Sequence, residues 1–131
     1  MCRNVLAFLS MFFLVFAVSQ YANTAEEPKM IREDPIHNMD ALMETADRLW
    51  KDTSLGTAGV SCSTCHPDGK DLRAEPYPRR IEMANDILTL DQMINFCMTF
   101  PMKGEPLRWN SREMTALAAY VKAYAKGNGG K

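Results

Sequence analysis

The sequence predicts an all-α fold, a small helical domain closed around one internal site. Three observations point there. Three stretches repeat apolar residues at helical spacing, and no segment alternates apolar and polar residues as a half-buried strand would. The most distinctive motif, Cys62-Ser63-Thr64-Cys65-His66, lies in a loop between two of those stretches. The chain has 131 residues and a formal net charge of -1, which suits one domain with one core and leaves no basic footprint for nucleic acid.

Taken in order, residues 1–25 have the layout of a secretory signal peptide. Arg3 is followed by an apolar run from Val5 to Val18 and then by small and polar residues up to Ala25. The run is shorter than the roughly 20 residues that cross a bilayer as a helix, so no stable span is expected after cleavage. Cleavage after Ala22 or after Ala25 fits, and the expected localisation is periplasmic. Residues 26–36, charged and carrying Pro28 and Pro35, read as an extended N-terminal arm. The folded domain is expected over residues 37–127. Its first helix opens at the cap residue Asn38, with Met39, Leu42, Met43, Ala46, Leu49 and Trp50 on its apolar face.

After the motif, Pro67 to Arg80 holds three prolines and many charges, too interrupted for a long helix or a central strand. It is expected to wrap the site as a loop, followed by a short helical turn between Ile81 and Leu88, with Tyr77, Ile81 or Ile87 covering the site. A second helix runs from Leu90 to Phe100, opened by Thr89 with Gln92 three positions on, a capping box. Met93, Phe96, Cys97 and Phe100 share one face of it, and Pro101 ends it. The last helix is expected from Asn110, with Glu113 three residues later, through Met114, Leu117, Ala118, Val121 and Ala125 to Gly127. Ala118 and Ala119 are small enough to let it cross the first helix closely. Residues 128–131 form a flexible tail.

C-x-x-C-H is the spacing that attaches a haem covalently. Each thiol can add to a vinyl group as a thioether, and His66 then lies under the iron as proximal ligand. Two rival readings weaken on context. A thioredoxin-like pair should end a strand in a βαβ unit, whereas Ser54 to Val60 is a Gly-containing loop. A structural zinc site usually needs a second tight ligand pair, and only the isolated Cys97 is present to join Cys62, Cys65 and His66. The cofactor expected is one covalent haem c. Arg73, Arg79 and Arg80 are candidates to reach its propionates.

Candidates for the second axial ligand are Met98, Met102, Cys97, His37 and Lys103. Met98 stands about 100° around the helix from Cys97, so the two cannot share the haem face. Met102, in the loop after Pro101, would give Met/His coordination and a raised potential. Cys97 would bind as a thiolate and lower it. A lone cysteine on an apolar helix face is more often a small buried hydrophobe, which by residues alone puts it behind Met102. His37, beside Pro35, is an outsider.

The chain resembles a single-haem class I cytochrome c domain. Its second half is similar to the haem domains of thiosulfate dehydrogenase and of the sulfur-oxidising haem subunit, through Cys62 to His66, Ile94-Asn95-Phe96-Cys97-Met98, Met102-Lys103-Gly104-Glu105-Pro106-Leu107, and Ser111 through Val121. The resemblance implies that Cys97 is the distal iron ligand, with Met102 the alternative. Those enzymes commonly use two haems, and this chain has one C-x-x-C-H motif. The leading expectation is therefore a periplasmic electron-transfer cytochrome. A redox partner would be another cytochrome or an oxidoreductase, docking through a small surface of mixed charge. The alternative is a catalytic domain or subunit in the oxidation of thiosulfate or other sulfur compounds, for which Arg73, Arg79, Arg80, Lys103 and Arg108 could supply an anion site. A gas sensor would need an open iron position, which this many candidate ligands disfavour.

Overall fold

A computed structural model describes residue 32, residues 34–73 and residues 75–125. The expected signal peptide, most of the arm and the C-terminal tail lie outside the described residues. Among the described residues there are four α-helices: α1 (Met39–Lys51), the single turn α2 (Cys62–Cys65), α3 (Leu90–Thr99) and α4 (Arg112–Tyr124). Between α2 and α3 runs a small antiparallel hairpin of β1 (Arg79–Ile81) and β2 (Asp86–Leu88), in which Arg79 pairs with Leu88, Arg80 with Ile87 and Ile81 with Asp86.

The hairpin corrects the all-α expectation. The helical turn expected there exists, at Glu82–Ala84, but it forms the tip of the hairpin. Asn85 closes that tip in the left-handed region at φ 51°, and the chain returns antiparallel. Two strands of three residues are too short for an alternation signal to build up in sequence.

The caps explain the helix boundaries. Asn38 Oδ1 accepts the Ala41 N–H at 3.0 Å and starts α1. Thr89 and Gln92 form the expected capping box of α3, with the Thr89 N–H donating to Gln92 Oε1 at 2.8 Å. The cap of the last helix falls one residue later than expected. Ser111, not Asn110, is its cap, its Oγ accepting the Met114 N–H at 3.1 Å. At its other end Ala125 turns extended, so the helix stops at Tyr124, short of Gly127.

Leu42, Ala46, Leu49 and Trp50 of α1, Ile94 and Met98 of α3, and Met114, Ala116, Leu117 and Tyr120 of α4 form one buried cluster with Met102. Of all element pairs, α1 and α4 share the most extensive contact. Ala46 and Ala116, both fully buried, join Ala118 and Ala119 among the small residues of that core. Trp50 stacks on Tyr120 at 4.3 Å between ring centroids, and Tyr120 on Tyr124 at 4.3 Å, making a three-ring column between the helices. Met39, expected on the apolar face, is exposed in the first turn. Before α1, Arg32 donates to Thr115 Oγ1 at 2.6 Å, and Asp34 pairs with Arg112 at 2.5 Å, fastening this segment to α4. Among the described residues, no helix is long and apolar enough to cross a membrane.

Candidate functional site: an apolar cavity behind the cysteine motif

The motif forms one helical turn because Ser61 caps it. The Ser61 N–H donates to Thr64 Oγ1 at 3.0 Å, and the Ser61 side chain meets the N-terminal turn in return. The His66 N–H closes the turn on the Cys62 carbonyl at 2.9 Å. One turn is enough to put Cys62, Cys65 and His66 on the wall of a single cavity of about 310 Å3.

His66 is oriented from both sides. Its Nδ1 lies 3.0 Å from the Lys70 carbonyl oxygen. A carbonyl only accepts, so Nδ1 carries the proton, and Nε2 keeps the lone pair that a metal needs. The Trp50 Nε1–H donates to the His66 carbonyl at 3.1 Å, tying the motif to α1. The loop that returns to Lys70 depends on Gly69, at φ 73°, where a Cβ would come within 2.5 Å of Tyr124 Cβ.

The facing wall is α3. Met93, Ile94, Phe96, Cys97 and Phe100 line the cavity, so the apolar face read from the sequence is the face turned to the site. Ile94, at the border, is buried and also lines the cavity, whereas Met98 is buried on the core side and does not reach the cavity, as its helical phase required. The helix is therefore apolar on two sides, one for the protein core and one for the site. After α3 the chain is tied back tightly. Asn95 exchanges two hydrogen bonds with the backbone of Leu107, at 2.9 and 2.8 Å. Ala58 N–H donates to the Met102 carbonyl at 3.0 Å, and Gly56 bridges Gly104. This loop seats Met102, 2% exposed, in the cavity wall.

Of the five candidates for a ligand opposite His66, only Cys97 and Met102 line the cavity. His37 is exposed at the start of the domain, and Lys103 lies over the Phe100 ring at 5.3 Å. Burial pushes the Cys62 thiol up to about 11, the neighbouring Cys97 adding to the shift, and burial and then Cys65 raise Cys97. Cys97 thus lies close to the two cysteines of the motif. Such apolar surroundings suit a thioether, which has no proton to lose. Among the described residues, no three His, Cys, Asp or Glu side chains gather as a metal cluster, which leaves the zinc arrangement without support.

Tyr77 covers the site as expected, whereas Ile81 is not in its wall and Ile87 is 62% exposed. The five basic residues proposed for an anion site do not converge. Arg73 and Arg79 line the cavity, but Arg80 turns to Glu82 and Asn85, and Lys103 is outside it. Sequence reading gave no role to Asn95 or Met83, and took Trp50 as packing alone. A single polar residue or tryptophan at a helical position carries no signal of the loop it will grip.

Residues 45–129 match the family model of the SoxA/TsdA cytochrome c domain. The chain belongs to this family. As a SoxA/TsdA cytochrome c domain it takes covalent haem c, and the cavity fits that group: apolar walls, two thiols and an imidazole on one side, and the buried, unpartnered Nε of Arg79 in the lining. Among curated relatives, the L-cysteine S-thiosulfotransferase subunit SoxA of Rhodovulum sulfidophilum is 33% identical over 88 residues, covering 65% of this chain and 30% of the relative. The same subunit of Pseudaminobacter salicylatoxidans is 29% identical over 89 residues, 65% of this chain and 30% of its own. That of Hydrogenobacter thermophilus is 29% identical over 121 residues, 86% of this chain and 47% of the relative. The SoxA/TsdA domain described here thus spans less than half the length of these relatives.

Proposed function

We propose that this chain is a periplasmic haem subunit or domain in the oxidation of sulfur compounds, carrying one haem c on Cys62 and Cys65, with His66 as proximal ligand and Cys97 as distal ligand. The observation that carries the reading is that Cys97 and His66 line one apolar cavity, in a domain of the SoxA/TsdA family. Family membership supports this reading ahead of a plain electron carrier. Met102 lines the same cavity and is the second candidate for the distal position, which would favour electron transfer alone.

The bound haem supplies a one-electron acceptor. The chain's own residues do the rest. The Lys70 carbonyl holds the proton on His66 Nδ1 and orients the ring, so Nε2 is the nitrogen that would hold the iron, and Trp50 anchors the peptide behind it. Phe96, Leu117 and Val121 line the cavity, where they would exclude water from a bound haem. The relatives are named as subunits of an L-cysteine S-thiosulfotransferase, which joins thiosulfate to a cysteine sulfur. Joining a thiolate to thiosulfate through a new S–S bond releases two electrons, twice what one haem accepts, so we propose a protein partner that contributes a second redox centre or removes the first electron.

Low-temperature electron paramagnetic resonance of the oxidised protein tests the ligand assignment. The expected result is a low-spin thiolate-type signal that is lost in Cys97→Ala and kept in Met102→Ala. A His/Met signal, lost only in Met102→Ala, would transfer the distal role to Met102 and support the electron carrier. Replacing Cys62 and Cys65 with serine should abolish haem retention after acid-acetone extraction, and retained haem would refute the attachment.

A further inference from the structure

Among the described residues, Arg79 Nε is the buried side-chain nitrogen or oxygen left without a hydrogen-bond partner. A guanidinium stays charged at any pH at which a protein folds, so a buried N–H of this kind is costly to leave unpaired. The rest of the group is already held. Nη1 donates to Glu75 Oε2 at 2.7 Å, Nη2 donates to the Tyr77 hydroxyl at 3.0 Å, and the guanidinium carbon sits 4.6 Å from the Tyr77 ring centroid. These contacts fix the fork on β1, with Arg79 in the cavity wall.

The other two arginines of this stretch differ. Arg80 is the next residue of the strand and so projects from the opposite face, where Glu82 at 3.0 Å and Asn85 at 2.8 Å engage it outside the cavity. Arg73 reaches the wall, but its side chain is 69% exposed and lies 3.8 Å from Glu75. Of these three arginines, Arg79 alone combines a place in the cavity, a side chain that is 20% exposed, and a buried donor without a partner among the described residues.

The cofactor of this domain is an apolar macrocycle bearing two carboxylates. Inside a protein a carboxylate needs a charge-assisted partner. We propose that Arg79 anchors one haem propionate, its Nε–H donating to a carboxylate oxygen, with Glu75 and Tyr77 as the residues that position the guanidinium. The inference rests on haem being carried by Cys62 and Cys65. A free sulfur oxyanion offers the same anionic oxygen chemistry. The propionate is favoured because Nη1 and Nη2 are already engaged by Glu75 and Tyr77 and only the Nε nitrogen is without a partner, which suits a carboxylate tethered beside it better than capture of a dianion from water. A cation paired with the propionate also lessens the negative charge near the iron, which favours the reduced state.

The test uses the holoprotein with Arg79→Gln, Arg79→Lys and, as a control, Arg73→Gln, each first checked for covalent haem by acid-acetone extraction, which reports on Cys62 and Cys65 independently of Arg79. The propionate bending band in resonance Raman and the midpoint potential are then measured with and without thiosulfate as the free oxyanion. The expected result is a shifted band and a lowered potential in Arg79→Gln. Arg79→Lys should recover much of the potential but not the band, and Arg73→Gln should keep the original band, all independently of thiosulfate. A parent-like band in both Arg79 variants would overturn the proposal, as would a thiosulfate-induced shift of the parent protein that Arg79→Gln abolishes. Should Arg79→Gln not fold, the band of Arg79→Lys decides. Absence of covalent haem from the parent protein would instead overturn the attachment on which the inference rests.

Discussion

Single atoms decide much of the chemistry of this domain. One carbonyl, that of Lys70, sets the tautomer of His66. One indole N–H, that of Trp50, fixes the peptide behind it. The same tryptophan begins the ring column whose centre, Tyr120, is 2% exposed. Burial raises the Tyr120 hydroxyl above its ordinary value, with Tyr124 adding to the shift. The sign of the consequence follows from linkage. A group whose folded value lies above its unfolded value stabilises the protein below the unfolded value and loses that contribution as pH rises past it. Unfolding by denaturant should therefore become easier as pH climbs beyond about 10. Tyr120→Phe should flatten this alkaline loss, and a pH profile identical to that of the parent protein would contradict the assignment.

At the scale of elements, the site is made by loops that are tied more tightly than their composition suggests. Gly56 and Gly104 pass so closely that a Cβ on Gly56 would stand 2.0 Å from the Met102 carbonyl oxygen, and one on Gly104 would stand 2.2 Å from that of Leu55. Gly56 itself is extended at φ -149°, so close approach alone forbids a side chain there. Gly56→Ala should push the 101–104 loop outward and destabilise the protein by about 2 kcal/mol, the scale of overpacking. The oxidised spectrum distinguishes the ligands at the same time. With Cys97 on the iron it should be little changed while the melting temperature falls, and a large spectral change would favour Met102. The capping box of α3 and the cap of α1 were legible in the sequence because they are local, each satisfied within a few residues. The start of α4 was misplaced because Asn110 and Ser111 are both good caps, and only the backbone decides between them.

For the molecule as a whole, the cavity is large relative to the protein around it. An apolar cavity of about 310 Å3 leaves its lining without packing partners on one side. The haem that fills it is thus part of the core. The holoprotein should unfold cooperatively, whereas chain made without haem attachment should retain helical circular dichroism and lose its near-ultraviolet signal and its cooperative transition. A haem-free chain that unfolds as sharply as the holoprotein would show that the helices close the core on their own. The helix α3 makes the same point, with Met98 buried toward the core and Phe96 and Cys97 turned to the site, because the haem is the neighbour its second face requires.

By itself the sequence determined the contiguous features: the C-x-x-C-H turn, the apolar faces of α1 and α3, the caps, and the exclusion of Met98 from the site by helical phase. Spacing along the chain is enough for these, because one turn of helix fixes where neighbours point. Tertiary structure alone decided which distant groups share the cavity. It brought Cys97 and Met102 to the wall and left His37 and Lys103 outside, and it joined two short strands into a hairpin. It also separated Arg79, buried with an unpaired donor, from the exposed Arg73 and Arg80. Three arginines within eight residues look alike in sequence, since burial and pairing depend on the return of the chain from elsewhere in the fold.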